Sequence, residues 1–405
     1  MIRNRIIYTD IIFGNSKINI AALMDSNNHF QRLSVERDEY KSLIGNIYIG
    51  KVASIQQNLD AAFVDIGDGK TVYCSLDKKW EPIYTHKFAA NDRLCQGDEI
   101  LIQIEKDPIK TKKAVATTNL SFDGDHIVVT TGNIACGISR KLPEDLRQEL
   151  KAKLNPIMEA YGYGIVVRTS AKDLAISDLI SEIEDKCHEV DGLLQQCKSK
   201  APFTLVKAGK NQLYRFLDEI TSDEFQLVDE FVTDKAEVYD LVTNDNYLPQ
   251  TFEKYHLPKP AIRLYADESY SMNKLYSIEY QLLELLKPTV WLDSGASLVI
   301  EPTEAMTVID VNTGRNIKKN MSFLNVNKEA CDEIIRQLIV RNISGIIIVD
   351  FINLDSEDKK AELLQYFRSN ASKASSFIQV LDYTKLGLVE VTKKKTSKSI
   401  YQILN

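Results

Sequence analysis

Two aspartates in the C-terminal third carry the clearest chemical signal. Asp350 follows Ile346, Ile347, Ile348 and Val349 and precedes Phe351 and Ile352. A carboxylate embedded in such a run is costly unless a partner satisfies it. Asp310 ends the apolar stretch of MTVIDVNTG, and Asn312, two residues on, falls on the same face of a strand. Two strands that each deliver an acid to one edge, with an amide beside one of them, suit Mg²⁺. That ion takes oxygen ligands and uses one or two carboxylates. It would activate water and neutralise phosphate charge. A single Asp at a strand end more often caps a turn. Two in successive strands of one domain weigh evenly against that. Glu304 lies in a turn and reads as solvated.

A second constellation sits nearer the N-terminus. Phe63 and Tyr73 fall on neighbouring predicted strands, and Lys106, Lys110, Lys112 and Lys113 crowd one loop with only Asp107 opposing. Aromatic side chains on the face of a small barrel can stack the bases of a single strand of nucleic acid. The competing reading makes Phe63 a core residue and the lysines a solvated turn. A third is Arg168-Thr169, after the apolar strand GIVV, with Arg140 and Lys141 upstream. A guanidinium fork beside a hydroxyl can hold a phosphate, although an ordinary surface arginine at a strand end has the same appearance. No histidine cluster, Walker loop, G-x-S-x-G or metal-type cysteine spacing occurs.

The elements that must position these groups read as follows. The first forty residues form β-hairpins, with a turn at Asp25-Ser26-Asn27-Asn28. From Ile44 to about Ser121, some five short strands broken by glycine predict a closed barrel of the OB type. A mixed segment follows to about Leu213. Its helices are PEDLRQELKAKL, with Leu146, Leu150 and Leu154 on one face, and LISEIEDKCHEVDGLLQQCK, with Ile180, Ile183, Cys187, Val190 and Leu194 on one face. The last third alternates strand, helix, strand, helix and strand. GIIIVD is its buried, parallel strand. The fold class is multidomain α+β with an α/β unit.

The 405 residues suit two to four domains. Apolar residues make up 44% and charged residues 26%, which excludes a disordered, collagenous or coiled-coil chain. With 57 acidic and 50 basic side chains the net charge is −7, so any surface that grips nucleic acid must be a local basic one. The loop at Lys112 and the tail lysines Lys393, Lys394, Lys395 and Lys398 are the candidates. The six cysteines form no C-x-x-C pair and read as reduced thiols. No signal-peptide pattern and no membrane-length apolar run occurs, so a cytoplasmic protein is expected.

Several segments together resemble the ribonuclease E / ribonuclease G family of endoribonucleases. They are NIYIGKVASIQQNLDAAFVDIG, CGISRKL, GIVVRTSA, IEPTEAMTVIDVNTGRN, NKEACDEIIRQLIVRNISGIIIVDFINL and YTKLGLVEVTKKK. The resemblance covers nearly the whole chain and is weaker from about Asp173 to Leu275. It implies an RNase H-like subdomain split between residues 1–40 and 214–279. An S1-type OB-fold barrel (41–120) and a 5′-sensor domain (121–213) would be inserted in it. A DNase I-like catalytic subdomain (280–405) would follow.

It also implies roles. Asp310 and Asp350 match the family's metal-binding acids, and Asn312 the amide that supports them. Phe63, Tyr73 and Lys112 match barrel positions that contact RNA. Arg168 and Thr169 match the pocket for a 5′-monophosphate, with Val128 as a backbone contact and Arg140 as a neighbouring base. One feature departs. No C-P-x-C motif follows Cys331, so the family's zinc link is not expected and a homodimer is left open. The long disordered tail of ribonuclease E is not seen either, which makes the ribonuclease G type the nearer comparison.

The expected protein is therefore an Mg²⁺-dependent endoribonuclease of RNA processing and decay, with Mn²⁺ as a substitute ion and no nucleotide cofactor. It would act on single-stranded RNA, leave 5′-phosphate and 3′-hydroxyl ends and be stimulated by a 5′-monophosphate. The rival is a non-catalytic, ribosome-associated RNA-binding protein that uses the barrel alone. A metal-dependent DNase is a third reading.

Overall fold

The computed structural model describes residues 3–404 apart from 77–80, 90–92, 109–111, 173, 245–251, 253–256, 258, 268, 315–321 and 396. The chain divides into two compact units: residues 42–210 form one, and 1–41 with 211–405 form the other.

The first segment is a meander of β1 (Asn4–Phe13), β2 (Ser16–Met24) and β3 (Phe30–Arg37). The expected turn is present: the Asp25 carboxylate accepts from the amides of Asn27 and His29, and Asn28 takes a left-handed φ of 64°.

In the 42–210 unit the barrel comprises β4 (Ile47–Gln56), β5 (Ala61–Asp65), β6 (Thr71–Ser75), β7 (Tyr84–His86), β8 (Glu99–Lys106) and β9 (Val115–Thr117). The order β4-β5-β6-β9-β8 closes through the pairing of β4 with β8, and β7 adds to β8. Alternation fills the interior with Val52, Ala62, Val64, Val72, Cys74, Ile100, Ile102 and Ile104. Gly50 lies where a Cβ would collide with Val64, so glycine lets β4 coil there.

A second sheet follows, from β10 (Ser121–Asp123), β11 (Ile127–Thr130), β12 (Cys136–Ile138) and β13 (Gly164–Val167), in the order β10-β11-β13-β12. Helices α1 (Glu144–Tyr161) and α2 (Ile176–Cys197) cover one face of it. The α1 helix ends at Gly162, whose φ of 72° supplies the left-handed cap. The core stripe of α2 is Leu179, Ile183, Cys187, Val190 and Cys197. The predicted Ile180 and Leu194 flank it, half-buried, because the helix is rolled slightly from the expected face. Strand β14 (Leu205–Lys207) returns to pair with β4.

The other unit resumes with α3 (Gln212–Glu219), α4 (Ser222–Phe225), β15 (Val228–Thr233), α5 (Ala236–Asn244) and β16 (Ala261–Leu264). Strand β1 pairs in parallel with β15, with Ile6 opposite Phe231 and Ile7 opposite Val232, giving the sheet order β16-β15-β1-β2-β3. Helices α6 (Met272–Leu275) and α7 (Ile278–Leu286) pack on this sheet.

The last sheet contains β17 (Thr289–Trp291), β18 (Ser297–Pro302), β19 (Met306–Asn312), β20 (Gly345–Asp350), β21 (Ile378–Tyr383) and β22 (Val389–Lys393). Its order is β17-β18-β19-β20-β22-β21. Helices α8 (Phe323–Val340) and α9 (Glu357–Ala374) lie on one face, and α10 (Ile400–Leu404) ends the described chain. Ser322 and Ser356 cap α8 and α9 through their hydroxyls. Ile309, Val311, Ile347 and Val349 point into the helices and are buried. Each contributes about 1.5–3 kcal/mol by leaving water. The residues of opposite parity form an open face.

That open face corrects one expectation. GIIIVD was read as buried on both sides, yet helices cover only one, and Ile346 is 50% exposed. A run of four β-branched residues satisfies the core side with two of them.

Candidate active site

Strands β19 and β20 run parallel, so the crossover helix α8 brings their C-terminal ends to the same edge. The register sets Asp310 directly opposite Asp350. Adjacent strands are about 4.8 Å apart, so the two carboxylates rise side by side from the open face. Asn312 Nδ2 donates to Asp310 Oδ2 at 2.8 Å. The sequence therefore placed these three residues together correctly as strand-end groups. It misjudged their surroundings: Asp350 is exposed and Asp310 half-buried, because the face they share is open. Desolvation is not what demands a partner here. Mutual repulsion is, since like charges directly opposite in a sheet are unfavourable. Among the described residues neither acid is joined to a cationic side chain.

The donor chemistry fits a hard divalent cation: two carboxylates and one amide, all oxygen ligands, open to water. Among the described residues no cluster of three or more His, Cys, Asp or Glu is arranged for a metal. A site built on two acids accordingly has to leave several positions to water and phosphate. The cysteines play no part in it. All six are free thiols, and burial between sheet and helices pushes Cys331 well above its usual pKa.

On the barrel, Phe63 and Tyr73 are direct cross-strand partners on β5 and β6. Their rings meet edge-on, with centroids 6.0 Å apart. The neighbours Ala62, Val64, Val72 and Cys74 point inward, so parity turns both rings outward, half-exposed. Phe63 is not core. The ammonium standing over its ring, 5.1 Å from the centroid, belongs to Lys113. Lys112 beside it is exposed, and Lys110 lies outside the described residues. Sequence reading put Lys113 in the loop without singling it out. The alternation of β9 could have.

On the helix-free face of the β10–β13 sheet, Asp123, Val128 and Val166 are partners in one row across three strands. Arg168 leaves β13 on that face. Its guanidinium pairs with Asp123 at 2.5 Å and donates to the Gly124 carbonyl at 3.2 Å. The Thr169 hydroxyl is bonded to the Ser139 hydroxyl at 2.7 Å. Exposed Arg140 follows Ser139. The fold thus brings Val128, Arg140, Arg168 and Thr169 to one neighbourhood and adds two groups that the sequence reading passed over, Asp123 and Ser139.

One basic candidate is corrected. Lys393 was taken as part of an exposed basic tail. It is buried, because Val389, Val391 and Lys393 share the inward parity of β22. Its Nζ donates to the Leu338 carbonyl at 3.0 Å and to Asn342 Oδ1 at 2.8 Å.

The chain is similar to known sequences over most of its length. Residues 121–396 fit the sequence profile of the Ribonuclease E/G family. The ribonuclease G of Escherichia coli K12 is 30% identical over 400 residues, 92% of this chain and 77% of its own length. The chain belongs to the ribonuclease E/G family. Ribonuclease E of Synechocystis is 30% identical over 89% of this chain, and ribonuclease G of Salmonella typhimurium 29% identical over 92%. The chain spans about half the length of the Synechocystis ribonuclease E, 53%, and 77% of the ribonucleases G. Among the described residues no helix is long and apolar enough to cross a membrane.

Proposed function

We propose that this chain is an Mg²⁺-dependent endoribonuclease that hydrolyses single-stranded RNA and leaves 5′-phosphate and 3′-hydroxyl ends. The observation that carries the reading is the register of Asp310 against Asp350 with Asn312 beside them. Two adjacent carboxylates that no described cationic side chain joins are poised for a cation, and the family's named members are ribonucleases. When bound there, Mg²⁺ supplies positive charge against the scissile phosphate and activates water. The chain's part is to hold Asp310 and Asp350 in fixed register on paired strands. Asn312 locks the Asp310 rotamer through its amide. Phe63 and Tyr73 offer rings for bases, and Lys113, with Lys112 next to it, offers charge for the backbone. Arg168 and Thr169 hold a 5′-monophosphate: the guanidinium supplies a fork and the hydroxyl a donor. RNA processing and decay is the setting that such an activity serves.

The same resemblance assigns the β1–β3, β15 and β16 sheet to an RNase H-like subdomain. The barrel is assigned to an S1-type domain, the β10–β13 sheet to a 5′ sensor, and the β17–β22 sheet to a DNase I-like subdomain. The decisive test is a cleavage assay on a single-stranded RNA with Asp310→Asn and Asp350→Asn, with and without Mg²⁺. Both variants should lose cleavage by several orders of magnitude yet still bind RNA. Full activity in either, or wild-type cleavage that ignores chelation, rejects the reading.

A further inference from the structure

Within the open face that carries the acid pair, Trp291 presents a large aromatic side chain to solvent. Trp291 ends β17 and is 72% exposed. Its orientation is fixed by its neighbours: Val290 packs on the helix-covered core and Leu292 is buried in it, so parity turns Trp291 to the opposite, open side. Trp291 is the direct partner of Ser297, and Ser297 is the direct partner of Asn312. In the next row Thr289, Val299, Asp310 and Asp350 line up across four strands. Trp291 is therefore two strand spacings, about 10 Å, from Asn312, on the same face as both acids. What separates them is small. Ser297 and Val299 are the only β18 side chains in these two rows, so no bulky side chain of β18 stands between the indole and the carboxylates.

We propose that Trp291 is the platform on which a base adjoining the scissile phosphate stacks. This rests on the reading of Asp310 and Asp350 as the cutting site. The surroundings favour a base over a phosphate. Glu301 and Glu390 share this face with the two aspartates, because Glu301 pairs with Val308 and Glu390 with Ile348. An acidic floor repels the RNA backbone except where a cation intervenes. An uncharged planar base can lie on an exposed indole without that penalty, and stacking is indifferent to base identity. The phosphate held at the acid pair and the base held at Trp291 would together fix the strand's direction across the sheet, as a substrate-positioning contact must.

The test combines Trp291→Ala and Trp291→Phe with RNAs carrying one abasic nucleotide at successive positions around the cut. With intact RNA, Trp291→Ala should raise KM roughly 5- to 100-fold and Trp291→Phe much less. With the abasic unit at the stacked position, Trp291→Ala should have no further effect, while other positions keep the full loss. Trp291 is one of two tryptophans, with Trp80. Indole fluorescence in a Trp80→Phe, Asp350→Asn background should therefore be quenched by intact RNA and less by the abasic one. Circular dichroism and melting of Trp291→Ala should match wild type, since the side chain is exposed. An unchanged KM, or a loss equal at every abasic position, overturns the proposal. If that happens while Asp310→Asn still abolishes cleavage, the cutting site stands and only the platform falls. If Asp310→Asn and Asp350→Asn both cleave normally, the site reading itself fails.

Discussion

Arg168 does not stand free at its strand end: Asp123, 45 residues earlier in sequence and across β11 on the same sheet face, holds its guanidinium in an ion pair. The Gly124 carbonyl takes a second bond from the same side chain. An arginine held from one side presents its remaining N–H groups in a fixed direction. That is what recognition of a terminal phosphate requires.

Arg168→Ala should therefore remove the preference for 5′-monophosphorylated RNA and leave the rate on 5′-hydroxyl RNA unchanged. A charge-assisted bond of this kind contributes about 1.5–3 kcal/mol, so the ratio of kcat/KM should fall by roughly 10- to 100-fold. Thr169→Ala removes one neutral donor and should cost less. Paired kinetics on the two RNAs decide it. An undiminished ratio in Arg168→Ala would place the sensor elsewhere.

The pair Asp310–Asp350 makes a prediction about stability as well as turnover. With chelator present, the two carboxylates repel across the strand pair, and Asp350→Asn relieves this. The variant should melt slightly above wild type, by no more than about 1 kcal/mol of stability. Adding Mg²⁺ should raise the wild-type melting temperature by mass action and leave Asp350→Asn nearly unmoved. Thermal scans across a Mg²⁺ series measure both. Equal Mg²⁺ shifts in the two proteins would mean that the ion binds elsewhere.

The candidate site was legible in part because its signals are local. Alternation placed Asn312 on the face of Asp310, and a helix between two apolar strands implied that both acids reach one edge. The exposure of Asp350 was not legible. Four apolar residues in a row read as doubly buried, and only the packing of α8 and α9 on a single face leaves Ile346 open. Nor was the pairing of β1 with β15, since Ile6 and Phe231 are 225 residues apart and no local pattern records such a partner. Lys393 was legible and was misread. Its parity with Val389 and Val391 pointed inward, but the run of lysines around it suggested a solvated tail.

For the barrel, parity separates loss of a ring from a conservative change. Phe63 and Tyr73 face outward as one edge-on pair, so Phe63→Ala removes a stacking surface without opening the interior. Binding of a short single-stranded RNA should weaken by roughly 5- to 100-fold. Tyr73→Phe keeps the ring and should bind as wild type. Lys113→Ala should weaken binding and flatten its salt dependence, since the ammonium that stands over Phe63 would meet the backbone of a strand whose bases stack on that ring. Fluorescence anisotropy at several salt concentrations reads all three. A melting temperature collapsed by Phe63→Ala would instead mark a core residue.

Lys393 carries a pH signature. Burial pushes its pKa down to about 8, with Arg32 acting in the same direction and Glu219 opposing. In the unfolded chain a lysine titrates near 10.4. Below about pH 8 both states hold the proton, and the folded state bears the full cost of burying the charge. Between about 8 and 10.4 the folded state releases its proton first. The unfolded state then binds more protons, and stability rises with pH. Above that window the contribution is constant. Lys393→Met has no such titration, although it leaves the Leu338 carbonyl and Asn342 Oδ1 without their donor, a loss of bonds at every pH at which the lysine donates. Urea unfolding of both proteins from pH 7.5 to 10.5 isolates the residue, because every other titration cancels in the difference. Wild-type stability relative to Lys393→Met should climb by up to about 3 kcal/mol across that range. A flat difference would show that the ammonium is already solvated in the fold.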